Sequence, residues 1–259
     1  MAEEKWKTAI TKIERNKIAM KGYQVEELMG RVPYSHVVFL LLKGELPSEE
    51  YGVLMDAMLV SSVDHGVTPP SALAARTVAS GGAALTAAMA AGISAINRYH
   101  GGAIEGCMRV LLEAVKRKRE SGSDAATVAA QTVDEHRAAK RRIPGYGHRV
   151  HTEDPRSVRL FALADELGIA GEYVEMAHAI RAAMKEKLGR ELPMNVDGAI
   201  ATMLCEMDFP PEVSNGIFAI SRSAGLVAQV YEEQTRMRPM RRIDPTAHEY
   251  DGPPDRRLG

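Results

Sequence analysis

The sequence predicts an all-α protein. Apolar residues recur at intervals of three and four along most of the 259-residue chain, the spacing that puts a continuous stripe on one face of a helix. Convincing runs of alternating apolar and polar residues, the mark of half-buried strands, are absent. Boundary signals punctuate the pattern: Asp154-Pro155 places an N-cap before a first-turn proline, and Gly168 and Gly189 stand where helices should stop.

Taken in order, residues 8–20 carry Ile10, Ile13 and Ile18 among charges and read as a short strand or an arm. Tyr23 to Lys43 holds Val25, Leu28 and Met29, then Val37, Val38, Leu40, Leu41 and Leu42, and ends at Gly44 and Pro47; Ser48-Glu49-Glu50 restarts a helix through Leu59. From Thr77 to Asn97 no residue is charged, a length sufficient to cross a bilayer. This segment is built from Ala, Gly, Ser and Thr and has no counterpart elsewhere in the chain, so it is expected to be one buried helix of a soluble protein, packed closely on its neighbours. Ile104 to Glu120 is amphipathic, with Ile104, Cys107, Met108, Leu111, Leu112 and Val115 on one face and a solvated, cationic end at Lys116-Arg117-Lys118-Arg119. Asp124 can cap a helix running toward Lys140-Arg141-Arg142. Helices are then expected over 155–167, 171–188, 198–206 and 211–234, and the Pro- and Arg-rich tail from Met237 reads as an extended arm.

Composition excludes several classes. A net charge of −1 gives no overall attraction to nucleic acid or anionic membrane. Cys107 and Cys205 are too few for a disulfide framework and lie in helical apolar patterns, so buried thiols in a reducing cytoplasm are expected. The opening MAEEKWKTAI lacks the apolar core of a secretory signal. The histidines show neither HExxH nor tight His/Cys spacing, so no metal site is expected.

The stretch with most chemistry is Pro144-Gly145-Tyr146-Gly147-His148-Arg149-Val150, closed by Asp154-Pro155-Arg156. Glycines around an aromatic let the backbone turn sharply and approach a ligand. His148 titrates near neutrality, and Arg149 and Arg156 are permanent cations suited to bidentate contact with carboxylates. Arg156 should sit in a first helical turn, pointing back at the histidine loop. By itself the stretch fits a solvated basic turn equally well.

Its companions extend the argument. The chain also holds Gly44-Glu-Leu-Pro47, Asp64-His65-Gly66, Tyr99-His100-Gly101-Gly102-Ala103, Asn195-Val196-Asp197-Gly198 and Ser221-Arg222-Ser223-Ala224-Gly225. In this order, over about residues 22 to 245, they resemble the motifs of the citrate synthase superfamily. The long insertion that separates GELP from DH in citrate synthases is missing here, and that shortening, with VDHGV, resembles citryl-CoA lyases and the lyase module of ATP-citrate lyase. That module carries an aromatic where His100 stands, so His100 is a departure toward the synthases.

The resemblance implies an all-α fold with a large domain (1–103 and 211–259) and a smaller one (104–210) closing over the site. It implies His100, His148 and Asp197 as catalytic residues, with His65, Arg149, Arg156, Arg222 and Arg242 binding the substrate carboxylates. Arg242, twenty residues after Arg222, matches an arginine donated across a dimer interface. Lys140, Arg141 and Arg142 could meet the phosphates of coenzyme A or form a solvated face. The implied reaction is cleavage of citryl-CoA to acetyl-CoA and oxaloacetate, in which His148 removes the hydroxyl proton, His100 supports the enol and Asp197 reprotonates it. A coenzyme A thioester is then substrate and no cofactor is needed. Partners would be the small-molecule substrates, a second copy of the chain and a citryl-CoA synthetase. The alternatives are a citrate or 2-methylcitrate synthase, which hydrolyses the thioester, and a non-catalytic acyl-CoA-binding or regulatory relative.

Overall fold

The computed structural model describes residues 6–148, 151–189, 191–241, 247 and 249–257. Among them are eleven α-helices and one small sheet, so the all-α reading holds for the bulk of the chain. The exception is the N-terminal segment. β1 (Thr11–Glu14), β2 (Lys17–Met20) and β3 (Tyr23–Gln24) form an antiparallel meander in which Ile13 pairs with Ile18. Lys21 and Gly22 both take positive φ, the geometry of a two-residue hairpin turn, which propensity alone did not make evident.

The segment read as continuous from Tyr23 to Lys43 divides into α1 (Val25–Leu28) and α2 (Tyr34–Lys43), interrupted before Pro33, which cannot donate to a helix. α3 (Glu49–Ser62) starts where Ser48 Oγ accepts the N–H of Tyr51 at 3.3 Å. The uncharged stretch is two helices rather than one: α4 (Pro70–Ser80) and α5 (Leu85–Ser94) break at Gly81-Gly82, with Gly82 at φ 91°. Among the described residues no helix is long and apolar enough to cross a membrane.

The second half follows its caps. α6 (Ala103–Ser121) ends on Gly122 in the left-handed conformation; α7 (Ala125–Ala138) starts where Asp124 accepts the N–H of Thr127 at 2.7 Å. α8 (Pro155–Glu166) has Asp154 as N-cap, and α9 (Glu172–Leu188) stops at Gly189. α10 (Val196–Glu206) begins two residues earlier than expected, because Asn195 and not Asp197 is its cap. After a 3-10 turn at Pro211–Val213, α11 runs Ser214–Arg236.

Two apolar clusters result. The larger gathers side chains of α2, α3 and α6–α10 around fully buried residues such as Met108, Leu111, Ile180 and Met203, and takes Ile217 and Phe218 from the start of α11. The smaller is Ala75 and Ala79 of α4, Ala88 of α5, and Leu226 and Val230 further along α11. Alanine and glycine let these three helices approach closely. α11 therefore belongs to both clusters, and Arg222 lies on it between Phe218 and Leu226, where the two meet.

Candidate active site

The histidine loop is fastened to the segment before α10. Gly147 N–H donates to Pro193 O at 2.7 Å, Asn195 N–H to Gly145 O at 3.0 Å, and Asn195 Nδ2 to Gly147 O at 2.9 Å. Gly145 sits at φ 85°, and a Cβ there would come within 2.8 Å of Cys107 Sγ and Gly198 Cα, so no other residue fits. Tyr146 turns inward and donates its hydroxyl to Ala177 O at 2.9 Å. This lacing brings His148 and Asp197 to the same cavity, of about 780 Å³.

Asp197 lies in the first turn of α10 and is half-buried. A helix N-terminus favours a carboxylate, and Arg156 and Arg222 do the same. Burial outweighs them all and pushes its pKa up to about 6. Next to it, Cys107 is buried and its thiol is pushed up to about 12 by burial and by Asp197, so it stays protonated.

His100 is held in a tight turn in which Asn97 and His100 exchange backbone hydrogen bonds of 2.7 and 2.8 Å. Its Nε2 lies 2.8 Å from Ser71 Oγ, and its ring meets Phe218 edge-on at 5.8 Å. Burial first, then Arg222, lowers its pKa to about 4, so the ring is neutral at pH 7. Arg222 Nη1 donates to the same Ser71 oxygen at 3.4 Å. When the serine hydroxyl donates to Nε2, the imidazole hydrogen sits on Nδ1.

Arg222 is 3% exposed. Among the described residues no carboxylate pairs with it. Its Nε donates to Ser62 O at 2.9 Å and its guanidinium covers the Phe218 ring at 4.9 Å. Burial lowers its pKa against the more distant pull of Asp64 and Asp197. Such a cation is suited to receive an anion.

His148 and His65 are neighbours, with ring centroids 6.0 Å apart. Both are shifted toward the neutral form: His148 by desolvation and then by His151, and His65 by desolvation and then by Arg156, His148 and Arg222. The backbone N–H of His151 donates to His148 Nδ1 at 3.0 Å. Arg156, in the first turn of α8 as expected, makes a two-pronged contact with Asp154, at 3.0 Å (Nε–Oδ1) and 2.8 Å (Nη2–Oδ2). Asp154 is 1% exposed. Burial alone would raise its pKa, but the bonds and charge of Arg156 and the N–H of Val196 hold it below the usual carboxylate range.

Lys140, Arg141 and Arg142 are exposed and line the same cavity as His148 and Asp197. Arg149 and Arg242 lie outside the described residues. Sequence reasoning missed Ser71, which carries no motif signal, and it read Asp154 only as a cap. It passed over Asn195, although an asparagine ahead of an apolar helix is an N-cap signal. Among the described residues no cluster of His, Cys, Asp and Glu could hold a metal ion.

The chain is similar to known proteins over most of its length. The family model "Citrate synthase, C-terminal domain" matches residues 47–243. The citrate synthase of Haloferax volcanii is 32% identical over 210 residues, covering 78% of this chain and 52% of that one. The citrate/2-methylcitrate synthase of Bacillus subtilis is 31% identical over 212 residues, covering 79% and 54%. The chain thus spans about half the length of the curated relatives it matches. Among solved structures, citryl-CoA lyase from Hydrogenobacter thermophilus superposes with a TM-score of 0.90 at 41% identity, covering 98% of this chain and 97% of that one. ATP citrate lyase of Methanosaeta concilii shares the fold (TM-score 0.84, 22% identity, 98% of this chain and 42% of that one). With its motifs in order, its helices laid out as in those structures and a family model matched from residue 47 to residue 243, the chain belongs to the citrate synthase family.

Proposed function

We propose that the protein is a citryl-CoA lyase, splitting citryl-CoA into acetyl-CoA and oxaloacetate. The observation that carries this is the likeness to the Hydrogenobacter thermophilus enzyme, at 41% identity over nearly the full length of both chains. The site supports it. Arg222, Arg156 and His65, with Arg149 and with Arg242 of a neighbouring copy, bind the carboxylates of the oxaloacetate moiety. Lys140, Arg141 and Arg142 meet the phosphates of coenzyme A at the exposed wall of the cavity.

In cleavage the hydroxyl on the central carbon loses its proton and the bond to the thioester methylene breaks. The electron pair passes into the enolate of acetyl-CoA, and His100 donates Nδ1–H to its oxygen. The methylene carbon then gains a proton, so the net change is one proton moved from oxygen to carbon. Asp197, with a pKa near 6, carries that proton, accepting it from the hydroxyl as the carboxylate and returning it to the methylene carbon. His148, expected from sequence to remove the hydroxyl proton, has its Nδ1 occupied by the His151 N–H. Its neutral ring therefore carries hydrogen on Nε2 and serves as a donor to the substrate oxygen.

In this reading residues 104–210 form the small domain and 1–103 with 211–259 the large one, closing to exclude water. The protein works as a homodimer in a reducing cytoplasm, supplied by a citryl-CoA synthetase. The buried free thiols Cys107 and Cys205 suit that compartment.

The test is to supply citryl-CoA and identify the products, oxaloacetate by coupling to malate dehydrogenase and NADH, free coenzyme A with a thiol reagent. Oxaloacetate without free coenzyme A is expected. Citrate with free coenzyme A would make the protein a synthase, and no turnover would overturn the substrate assignment.

A further inference from the structure

Two contacts join His148 to His151 across the turn that leads into α8. The rings face one another with centroids 4.5 Å apart and planes inclined by 35°. The backbone N–H of His151 donates to His148 Nδ1 at 3.0 Å. A nitrogen that accepts cannot also carry the hydrogen, so the neutral ring is protonated on Nε2. Flipping the ring would put a C–H against the His151 N–H and lose the bond. Both rings are half-buried, so the second imidazole covers one face of the first.

Resting on the reading of His148 as the group that meets the substrate oxygen, we propose that His151 is a positioning residue. Its ring and its backbone N–H together hold His148 in one rotamer and one tautomer, as an N–H donor. Other groups bearing on His148 include the His65 ring from the loop after α3, and Asp154 and Arg156 from the start of α8. Asp197 of α10 lines the same cavity. Asp154 and Arg156 are already paired with each other, and the His151 ring packs directly on the imidazole.

The test compares His151→Ala with His151→Phe in the full-length chain. The backbone donor survives in both, and only the phenylalanine keeps a ring on His148. With citryl-CoA, kcat of His151→Ala is expected to fall about 10-fold, less than the roughly 10²- to 10⁴-fold that loss of a proton-transfer group itself costs, while KM moves less than about twofold. His151→Phe should recover most of the loss. The second readout needs no turnover: long-range proton–nitrogen spectra of 15N-histidine protein, with the His148 signals identified by their loss in His148→Gln. Wild type and His151→Phe should show His148 protonated on Nε2 alone, and His151→Ala a mixture of tautomers. A single tautomer in His151→Ala, or a phenylalanine variant as impaired as the alanine, overturns the proposal. If wild type leaves citryl-CoA intact, the functional reading fails and the spectra still decide the role of His151.

Discussion

Asp154 accepts the backbone N–H of Val196 at 3.1 Å, so the carboxylate that caps α8 also holds the first residue of α10, next to Asp197. One buried side chain thereby ties together the starts of two helices and Arg156. Replacing it with alanine leaves Val196 N–H and the Arg156 guanidinium without their acceptor. A loss of about 3 kcal/mol in denaturant unfolding is expected, with Asp154→Asn losing less because it keeps an acceptor. The pKa of Asp154 is depressed in the folded state, so its contribution is present above the unfolded value. That contribution declines as pH falls through the folded one. Wild type should thus lose stability below about pH 4 more steeply than Asp154→Asn.

Asp197 behaves in the opposite sense. Its folded pKa is raised to about 6, so the folded protein holds its proton over a range where the unfolded chain has released it. Stability is greatest below the unfolded value and declines as pH rises through about 6. Asp197→Asn removes that cost. The variant is expected to melt at or above the wild-type temperature at pH 8 and to lose turnover by about 10²- to 10⁴-fold. A variant that unfolds more readily at pH 8, or one that keeps its activity, contradicts this account of the carboxylate.

How far the site could be read in advance depended on how local its causes are. Caps and stops act within a turn of their own residue, so Asp124, Asp154, Gly168 and Gly189 marked their helices correctly. The Ala-rich stretch misled because absence of charge was weighed above Gly81-Gly82, whose backbone freedom ends α4. Motif order pointed to His100, His148, Asp197 and Arg222, which the fold gathers around one region. Ser71 left no trace, since its role comes entirely from α4 passing between His100 and Arg222. The tautomer of His148 was equally hidden, because it depends on the direction of one backbone N–H.

Arg222 has no carboxylate partner among the described residues, so its charge is held by Ser62 O, Ser71 and the Phe218 ring. Replacing it with methionine fills similar space and removes a costly buried charge. Thermal stability should change by less than about 1 kcal/mol or improve, while KM for a dicarboxylate-bearing substrate rises about 100-fold. Arg222→Lys should recover little, because a point charge cannot reproduce the planar fork. Equal loss of stability and binding in Arg222→Met would show that the arginine is a structural strut.

Glu233 is buried and meets two guanidiniums, that of Arg76 from α4, at 2.7 Å, and that of Arg241 from the tail, through Nε at 2.8 Å. The two partners differ in surroundings. The Arg76 side chain is 4% exposed and also donates to Gln229, which in turn donates to Asp64 beside His65; the Arg241 side chain is 47% exposed. Desolvation makes the inner pair expensive to break, because its loss strips a buried carboxylate of its one desolvated cation among the described residues. Arg76→Met is expected to cost about 3 to 5 kcal/mol. Solvent screens the outer pair, and Arg241→Met should cost less than about 1 kcal/mol. Losing Arg241 still loosens the tail, which Met240 N–H also ties to Ser80 O at 2.7 Å. The variant should therefore fold normally yet be cut faster by trypsin at Arg238. If the two substitutions cost the same in unfolding, burial does not set the strength of these contacts, and the tail is bound to α11 more firmly than its single screened ion pair allows.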